Sequence, residues 1–304
     1  MVEVQSPVVA VGDVSDMNSA TASVALPGLH QTPPPYLSPS SASAYEQCPR
    51  RWQYKYIERL PEPSGRAALV GTFAHQVLEL LCGLPSAHRT TDQAKAIASE
   101  IWPDFATDDD YLSLELDEEE ARSFRWQGWL AITGLWDLED PATVDVVSTE
   151  KKVAVKLGDV PFKGIIDRVD RIDDKLVVSD YKSGTAPSSR WQGDKLLQVM
   201  LYAAALGADG GEMPERARLL YLGQKIIEVG VTDRRLEEAT EQLSGTWTNI
   251  SSSCTNDQFE PSPGVLCGWC PFVERCEAGT EEIKRRSEEG TLPAHAPAVN
   301  LTLA

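Results

Sequence analysis

From about residue 39 onward the chain alternates between stretches with helical spacing of apolar residues and shorter stretches rich in β-branched ones. LSPSSASAYEQCPRRWQYKYI opens with Ser and Pro, which favour helix starts, and then runs helical. VGTFAHQVLELLC predicts a second helix over 70–82. Helical and acidic sequence follows to about 138, carrying Trp126, Trp129 and Trp136, which we read as core residues. The character then changes. VDVVSTEKKVAVKL (144–157), VPFKGIIDRVDRI (160–172) and KLVVSDYKS (175–183) predict strands, the last two joined by a tight turn at Asp173-Asp174. DKLLQVMLYAAALGA predicts a helix over 194–208, RARLLYLG (216–223) and KIIEVGV (225–231) a hairpin, and 233–249 a further helix before a Cys-rich segment. Helices, antiparallel strands, helix and strands in that order make a mixed α/β protein, not a doubly wound parallel one.

The two ends read differently. Residues 1–38 are rich in Ser, Pro, Ala, Val and Thr without periodicity, and we expect a disordered leader there. Residues 283–304 read as a flexible tail. The expected folded unit is 39–282, with a helical insertion at about 84–140. No apolar run is long enough for a bilayer, and the N-terminus has acids where a signal peptide carries basic residues. The expected location is the cytoplasm, with no membrane partner.

The formal net charge of −18 argues against a protein that simply coats nucleic acid. Much of that charge is local, in the run Asp104, Asp108, Asp109, Asp110, Glu115, Asp117, Glu118, Glu119 and Glu120, which we read as a solvated face. A basic cluster stands apart from it: Arg50, Arg51, Lys55 and Arg59. We expect Arg50, Arg51 and Lys55 to contact nucleic-acid phosphates; pairing with the acids of 104–120 is the competing reading.

Phosphodiester hydrolysis needs a divalent cation on carboxylates, an activated water and a positive group near the developing charge. Asp180 and Lys182 are two residues apart at the end of an apolar strand and so share a face. Other acid-x-Lys triplets, such as Glu150-Lys151-Lys152, have no such setting. Asp167 lies in the preceding strand, inside GIID, and the hairpin makes it a neighbour of Asp180. Asp170, at odd spacing from Asp167, is expected on the opposite face.

GIIDRVDRIDDKLVVSDYKSG resembles two motifs of the RecB-like, CRISPR-associated-exonuclease-like branch of the PD-(D/E)XK nucleases. Upstream, GTFAHQVLE resembles the Gly-x-x-x-His-x-x-x-Glu helix of that branch, with His75 at the metal-ligand position and Glu79 one turn on. Downstream, Gln198 and Tyr202 resemble its Gln-x-x-x-Tyr helix. The motifs occur in family order over roughly 39–280. The resemblance implies a restriction-endonuclease-like mixed β-sheet core flanked by helices. It implies Mg²⁺ or Mn²⁺ held by His75, Asp167, Asp180 and the main-chain carbonyl of Tyr181. Lys182 would then act on the water or the phosphate, with Gln198 and Tyr202 positioning the site or the DNA. Glu150 is an additional candidate acid.

Six cysteines occur: Cys48, Cys82, Cys254, Cys267, Cys270 and Cys276. Cys267-Gly-Trp-Cys270 with Cys276 leaves a tetrahedral metal site one ligand short, and Cys48 is the best candidate for the fourth. Cys82 reads as buried, Cys254 as incidental in a polar loop. The pattern resembles the iron–sulfur staple of AddB-type and CRISPR-associated RecB-like exonucleases, which implies a 4Fe–4S cluster; structural zinc is the alternative. The resulting expectation is a DNA exonuclease acting on single strands or free ends in repair or recombination, with a protein partner conceivable there. A catalytically silent nuclease fold that binds DNA or a protein partner is the competing reading. No P-loop is present, so the chain carries no NTP motor of that kind.

Overall fold

In the computed structural model, which describes residues 31–188 and 192–302, five strands lie side by side in sequence order: β1 (Asp145–Leu157), β2 (Val160–Ile172), β3 (Lys175–Lys182), β4 (Arg216–Tyr221) and β5 (Lys225–Gly230). β1, β2 and β3 form an antiparallel meander. Asp173 and Asp174 turn β2 into β3 with φ of 53° and 60°, the left-handed pair that a two-residue hairpin needs and that Asp tolerates. β3 and β4 run parallel, Val177 opposite Arg216 through Lys182 opposite Tyr221. A parallel pair needs a crossover, and the helix Gln192–Ala208 supplies it. β5 then returns antiparallel to β4. The sheet is mixed and flanked by helices, as expected from the sequence.

Helices cover both faces. On one lie α1 (Pro39–Gln47), the crossover helix and the long helix Asp233–Asn256, packed against Phe162, Ile166, Val178 and Leu219. On the other lie the helices Arg66–Cys82, Thr91–Phe105 and Glu118–Thr133, whose Val77, Ile97 and Phe124 share a core with Tyr181 and Leu220. In chain order these are α1, α2 (Pro49–Trp52), α3 (Arg66–Cys82), α4 (Thr91–Phe105), α5 (Asp109–Leu112), α6 (Glu118–Thr133), α7 (Gln192–Ala208), α8 (Asp233–Asn256) and α9 (Glu277–Glu288). The expected helical insertion corresponds to α4, α5 and α6, locked to α3 by ring contacts among Phe73, Trp102, Phe105, Tyr111 and Phe124. The acids of 104–120 are exposed, and Asp117 with Glu120 forms the capping box that starts α6.

Several expectations need correction. The first helix is not continuous. Ser38 caps α1, but Cys48 is extended and Pro49 begins a new turn, which passes into a π-helical segment, Gln53–Ile57. Most of the proposed leader lies outside the described residues, but its end is built in. Leu37 is fully buried and bonds through its main chain to Pro161 and Lys163 beside β2. The proposed tail is also packed: α9 buries Ile283, and Ala296 and Ala298 are buried beyond it. Cys254 lies within α8, fully buried, and not in a polar loop. Trp126 is 59% exposed and not a core residue, whereas Trp129 and Trp136 are half-buried and pack against the core as expected. Among the described residues, no helix is long and apolar enough to cross a membrane.

Candidate active site

The pairing of β2 with β3 ends at Arg168 opposite Ser179. One residue further, β2 continues with β1 alone and β3 with β4 alone, so the two strands part and leave a fork. Asp167 and Asp180 are the first residues on its two arms. Asp167 accepts the main-chain N–H of Tyr181 at 2.7 Å, which ties one acid to the strand carrying the other.

Around this pair the structure gathers the other motif residues. Lys182 Nζ lies 2.6 Å from Asp180 Oδ2 and donates to Gln198 Oε1 at 2.9 Å. The same Gln198 amide donates from Nε2 to Asp180 Oδ1 at 2.8 Å and to the Tyr202 hydroxyl at 3.1 Å. Gln198 and Tyr202 are one turn apart on α7 and meet as that spacing requires. A side chain at Gly164 would put its Cβ 2.6 Å from the Tyr202 ring, so glycine there admits the tyrosine against β2. His75, on α3, places Nδ1 3.4 Å from Asp167 Oδ2. Gly71 on α3 makes a comparable close approach: a Cβ there would lie 2.7 Å from Ser183 Oγ, just past Lys182.

The electrostatics follow from burial and crowding. Asp180 is almost wholly buried; desolvation and the charge of Asp167 raise its pKa from 3.8 to about 6, against the lowering effect of Lys182. Burial pulls His75 down, but Asp167 beside it outweighs this and holds it above its ordinary value. Glu150, in a left-handed backbone conformation with φ of 46°, is raised by burial and by the charges of Asp167 and Glu79. Asp180 Oδ2 makes its ion pair with Lys182 but no well-directed hydrogen bond, although it is buried. Two repelling carboxylates, an imidazole and a main-chain carbonyl are the hard, oxygen-rich donor set of Mg²⁺ or Mn²⁺, and a cation would relieve the repulsion. In donor chemistry these residues fit such an ion. Among the described residues, no group of three or more His, Cys, Asp or Glu side chains is drawn together as a ready-made ion cage.

A cleft of about 1010 Å³ opens beside Lys182 and Gln198, walled by α1, the π-helical segment, α7 and α8. Lys55, Lys182 and Lys195 line it, as do Arg51 and Tyr56. Arg51 and Lys55 both pair with Glu62, not with the acids of 104–120, so that competing reading is set aside. Arg50 donates to Gln53 and faces a different, smaller cavity. That cavity is lined by Cys48, Cys267, Cys270 and Cys276 together, with Arg51 between it and the cleft. The Ser262 and Gly264 N–H groups point at Cys48 Sγ and Cys267 Sγ, at 3.5 and 3.4 Å. Four cysteines line one cavity, two of them with amide donors turned towards their sulfurs; in donor chemistry the set suits a thiolate-bound metal, although the sulfurs are not drawn together as a ready-made cage.

Sequence reasoning placed Asp170 on the opposite face of the sheet but missed the network that it joins there. There Arg168, Asp170 and Arg218 are buried and linked to Glu139 and Ser179. Asp170 does face away from Asp167, as its spacing requires. The available signal was the alternation Arg168-Val-Asp170 in an apolar strand; Glu139 and Arg218 had none. Glu62 was also unforeseen.

A mixed sheet that forks to present two acids, with a lysine two residues past the first fork position of β3, has the architecture of PD-(D/E)XK proteins. The chain matches the model of the PD-(D/E)XK nuclease superfamily over residues 36–277, and it belongs to that superfamily. The Gene 69 protein of Mycobacterium phage D29 is 26% identical over 280 residues, covering 80% of this chain and 96% of that protein. Among solved structures, one from Eubacterium rectale described as a "putative exonuclease" is 16% identical, covers 75% of this chain and 84% of that one, and has a TM-score of 0.41. A second, SSO0001, is 16% identical, covers 80% and 86%, and has a TM-score of 0.35.

Proposed function

We propose that the chain is a Mg²⁺- or Mn²⁺-dependent deoxyribonuclease that works as an exonuclease on single strands or free DNA ends in repair or recombination. The observation that carries this reading is the fork, where Asp167, Asp180, Lys182 and Gln198 join into one connected set. His75, Asp167, Asp180 and the Tyr181 carbonyl would hold the cation, which supplies Lewis acidity and a more acidic bound water. Lys182 Nζ lies beside Asp180, where it can orient the attacking water or balance charge on the phosphate. Gln198 fixes both partners by its amide, oxygen to the lysine and nitrogen to the aspartate. The cleft beside Lys182 combines cations with Tyr56, the mixture that single strands favour.

The same reading gives Cys48, Cys267, Cys270 and Cys276 to a 4Fe–4S cluster that staples the segment after α1 to the start of α9. Family membership supports the nuclease class; the cluster rests on the resemblance and on the shared cavity. The test is end-labelled single- and double-stranded DNA with purified protein, with and without Mg²⁺ and Mn²⁺. Cleavage that EDTA stops and Asp180→Ala abolishes is expected. DNA binding without cleavage by wild type would instead support a silent binding module.

A further inference from the structure

Tyr181 faces both sides of the sheet. Its main-chain N–H reaches Asp167 in the fork, while its side chain enters the core behind it. There the ring meets His75 edge-on, with centroids 5.7 Å apart and planes at 78°. Its hydroxyl accepts from Arg168 Nη1 at 3.0 Å and lies 3.4 Å from Cys82 Sγ. Arg168 is fully buried and is itself held by Asp170, at 2.7 Å from its Nε, and by Glu139. Arg218 completes the set, pairing with Asp170 at 2.8 Å and Glu139 at 3.3 Å, so two cations balance two anions. Such a buried network gains little stability over apolar residues of the same shape, because desolvation offsets the attraction. It does fix geometry, and here the geometry leads to the fork.

We propose that Arg168 and the Tyr181 side chain are positioning residues for the nuclease cation site: Arg168 grips the phenol, and the phenol orients His75 while its own backbone holds Asp167. The two groups touch no reacting atom. They set the angle between a histidine on α3 and an aspartate on β2, which approach to 3.4 Å. The analogy is with outer partners of metal ligands, whose loss typically weakens metal binding by roughly 10–100-fold. The proposal rests on the nuclease reading of the same site.

The test uses the full chain and measures Mn²⁺ affinity by calorimetry without DNA, then cleavage over a range of Mn²⁺, and melting temperature. Tyr181→Phe keeps the ring beside His75 and loses the grip; Tyr181→Leu loses both. Arg168→Met combined with Glu139→Gln removes one charge of each sign and leaves the Arg218–Asp170 pair. Mn²⁺ affinity is expected to fall by about 10-fold in Tyr181→Phe and in the double variant, and further in Tyr181→Leu. Saturating Mn²⁺ is expected to restore most of the rate in Tyr181→Phe, so that the loss falls on cation affinity and not on kcat. Unchanged Mn²⁺ affinity in both Tyr181 variants overturns the proposal, even if melting temperature drops, because the network is then only structural. If the double variant does not fold, the Tyr181 series decides. Wild type that takes up no Mn²⁺ overturns the nuclease reading and the proposal with it, whereas wild-type binding with unaltered variants overturns the proposal alone.

Discussion

Asp167 accepts the Tyr181 N–H across the point where β2 and β3 part, and this bond sets the spacing of the two acids. Asp180 is the residue before that N–H on β3. Asp167 therefore cannot swing away from Asp180 without breaking its bond to that N–H. The crowding starts from the strand register, which sets the two acids at the same point of the fork.

Stability should show that crowding when no cation is present. Asp180 is raised from 3.8 to about 6 by burial and by Asp167. Between those values the folded chain binds more protons than the unfolded one, so this group's contribution to stability falls as pH rises through that window. Asp180→Asn removes the charge while keeping the shape. In EDTA at pH 7.5, urea denaturation is expected to show the variant more stable than wild type, on the order of 1–3 kcal/mol. The advantage should shrink towards pH 4.5. A variant less stable than wild type at pH 7.5 would mean that Lys182 and Gln198 more than compensate the buried charge.

Gln198 has a graded role relative to Lys182. It touches both Lys182 and Asp180 but reaches neither through a charge. Gln198→Leu is expected to slow single-turnover cleavage of labelled single-stranded DNA by roughly 10–100-fold, as for other partners that orient a site. Lys182→Met deletes the positive group itself and is expected to cost more, about 10²–10³-fold. Wild-type rates in Gln198→Leu would show that its amide is a bystander.

Glu62 holds Arg51 and Lys55 at the edge of the cleft, so it competes with a phosphate for them. Glu62→Gln is expected to tighten DNA binding and to steepen its salt dependence, while Arg51→Ala with Lys55→Ala flattens the slope by about 1 per lost contact. Fluorescence anisotropy from 50 to 300 mM salt reads both, a range chosen where counterion release of about 0.7–0.9 per phosphate is easily resolved. The same slope in all three proteins would remove this wall of the cleft from the DNA path.

Much of this molecule is legible in its sequence, for identifiable reasons. Strands β1 to β3 and their turn announce themselves through β-branched runs and the Asp173-Asp174 pair, and the register then brings Asp167 beside Asp180. His75, Gln198 and Tyr202 are legible only through their motifs, since a lone histidine or glutamine carries no local signal. Other features depend on contacts between distant segments. Leu37 is buried because it lies alongside Pro161 and Phe162, not because of its neighbours in QTPPPYLSP. Glu139 joins Arg168 and Arg218 from the end of the helical insertion, a meeting that no periodicity encodes. Cys254 read as a loop residue because Ser, Thr and Asn surround it; α8 nonetheless continues through those residues to Asn256.

Cys254, buried within α8, stands apart from the other cysteines of the C-terminal half. Cys48, Cys267, Cys270 and Cys276 share one cavity and join segments far apart in sequence. Protein prepared without oxygen is expected to be brown, with broad absorbance near 400 nm, where zinc–thiolate sites are silent. That region is a marker of iron–sulfur ligation by four thiolates. Substituting any of the four by Ser should bleach this band and lower thermal stability together, because ligation closes a very long loop, by analogy with long crosslinks worth ~4 kcal/mol. Cys254→Ser is not a silent control. Its side chain is fully buried and its thiol is raised to about 11 by desolvation, so a hydroxyl there should cost about 1–3 kcal/mol. The two kinds of variant therefore separate by colour, not by stability: Cys254→Ser destabilises and stays brown, Cys48→Ser destabilises and bleaches. Stoichiometric zinc without iron in anaerobic protein would reject iron–sulfur while keeping the four-cysteine site. Colour that survives Cys48→Ser but is lost in Cys254→Ser would overturn the ligand set itself.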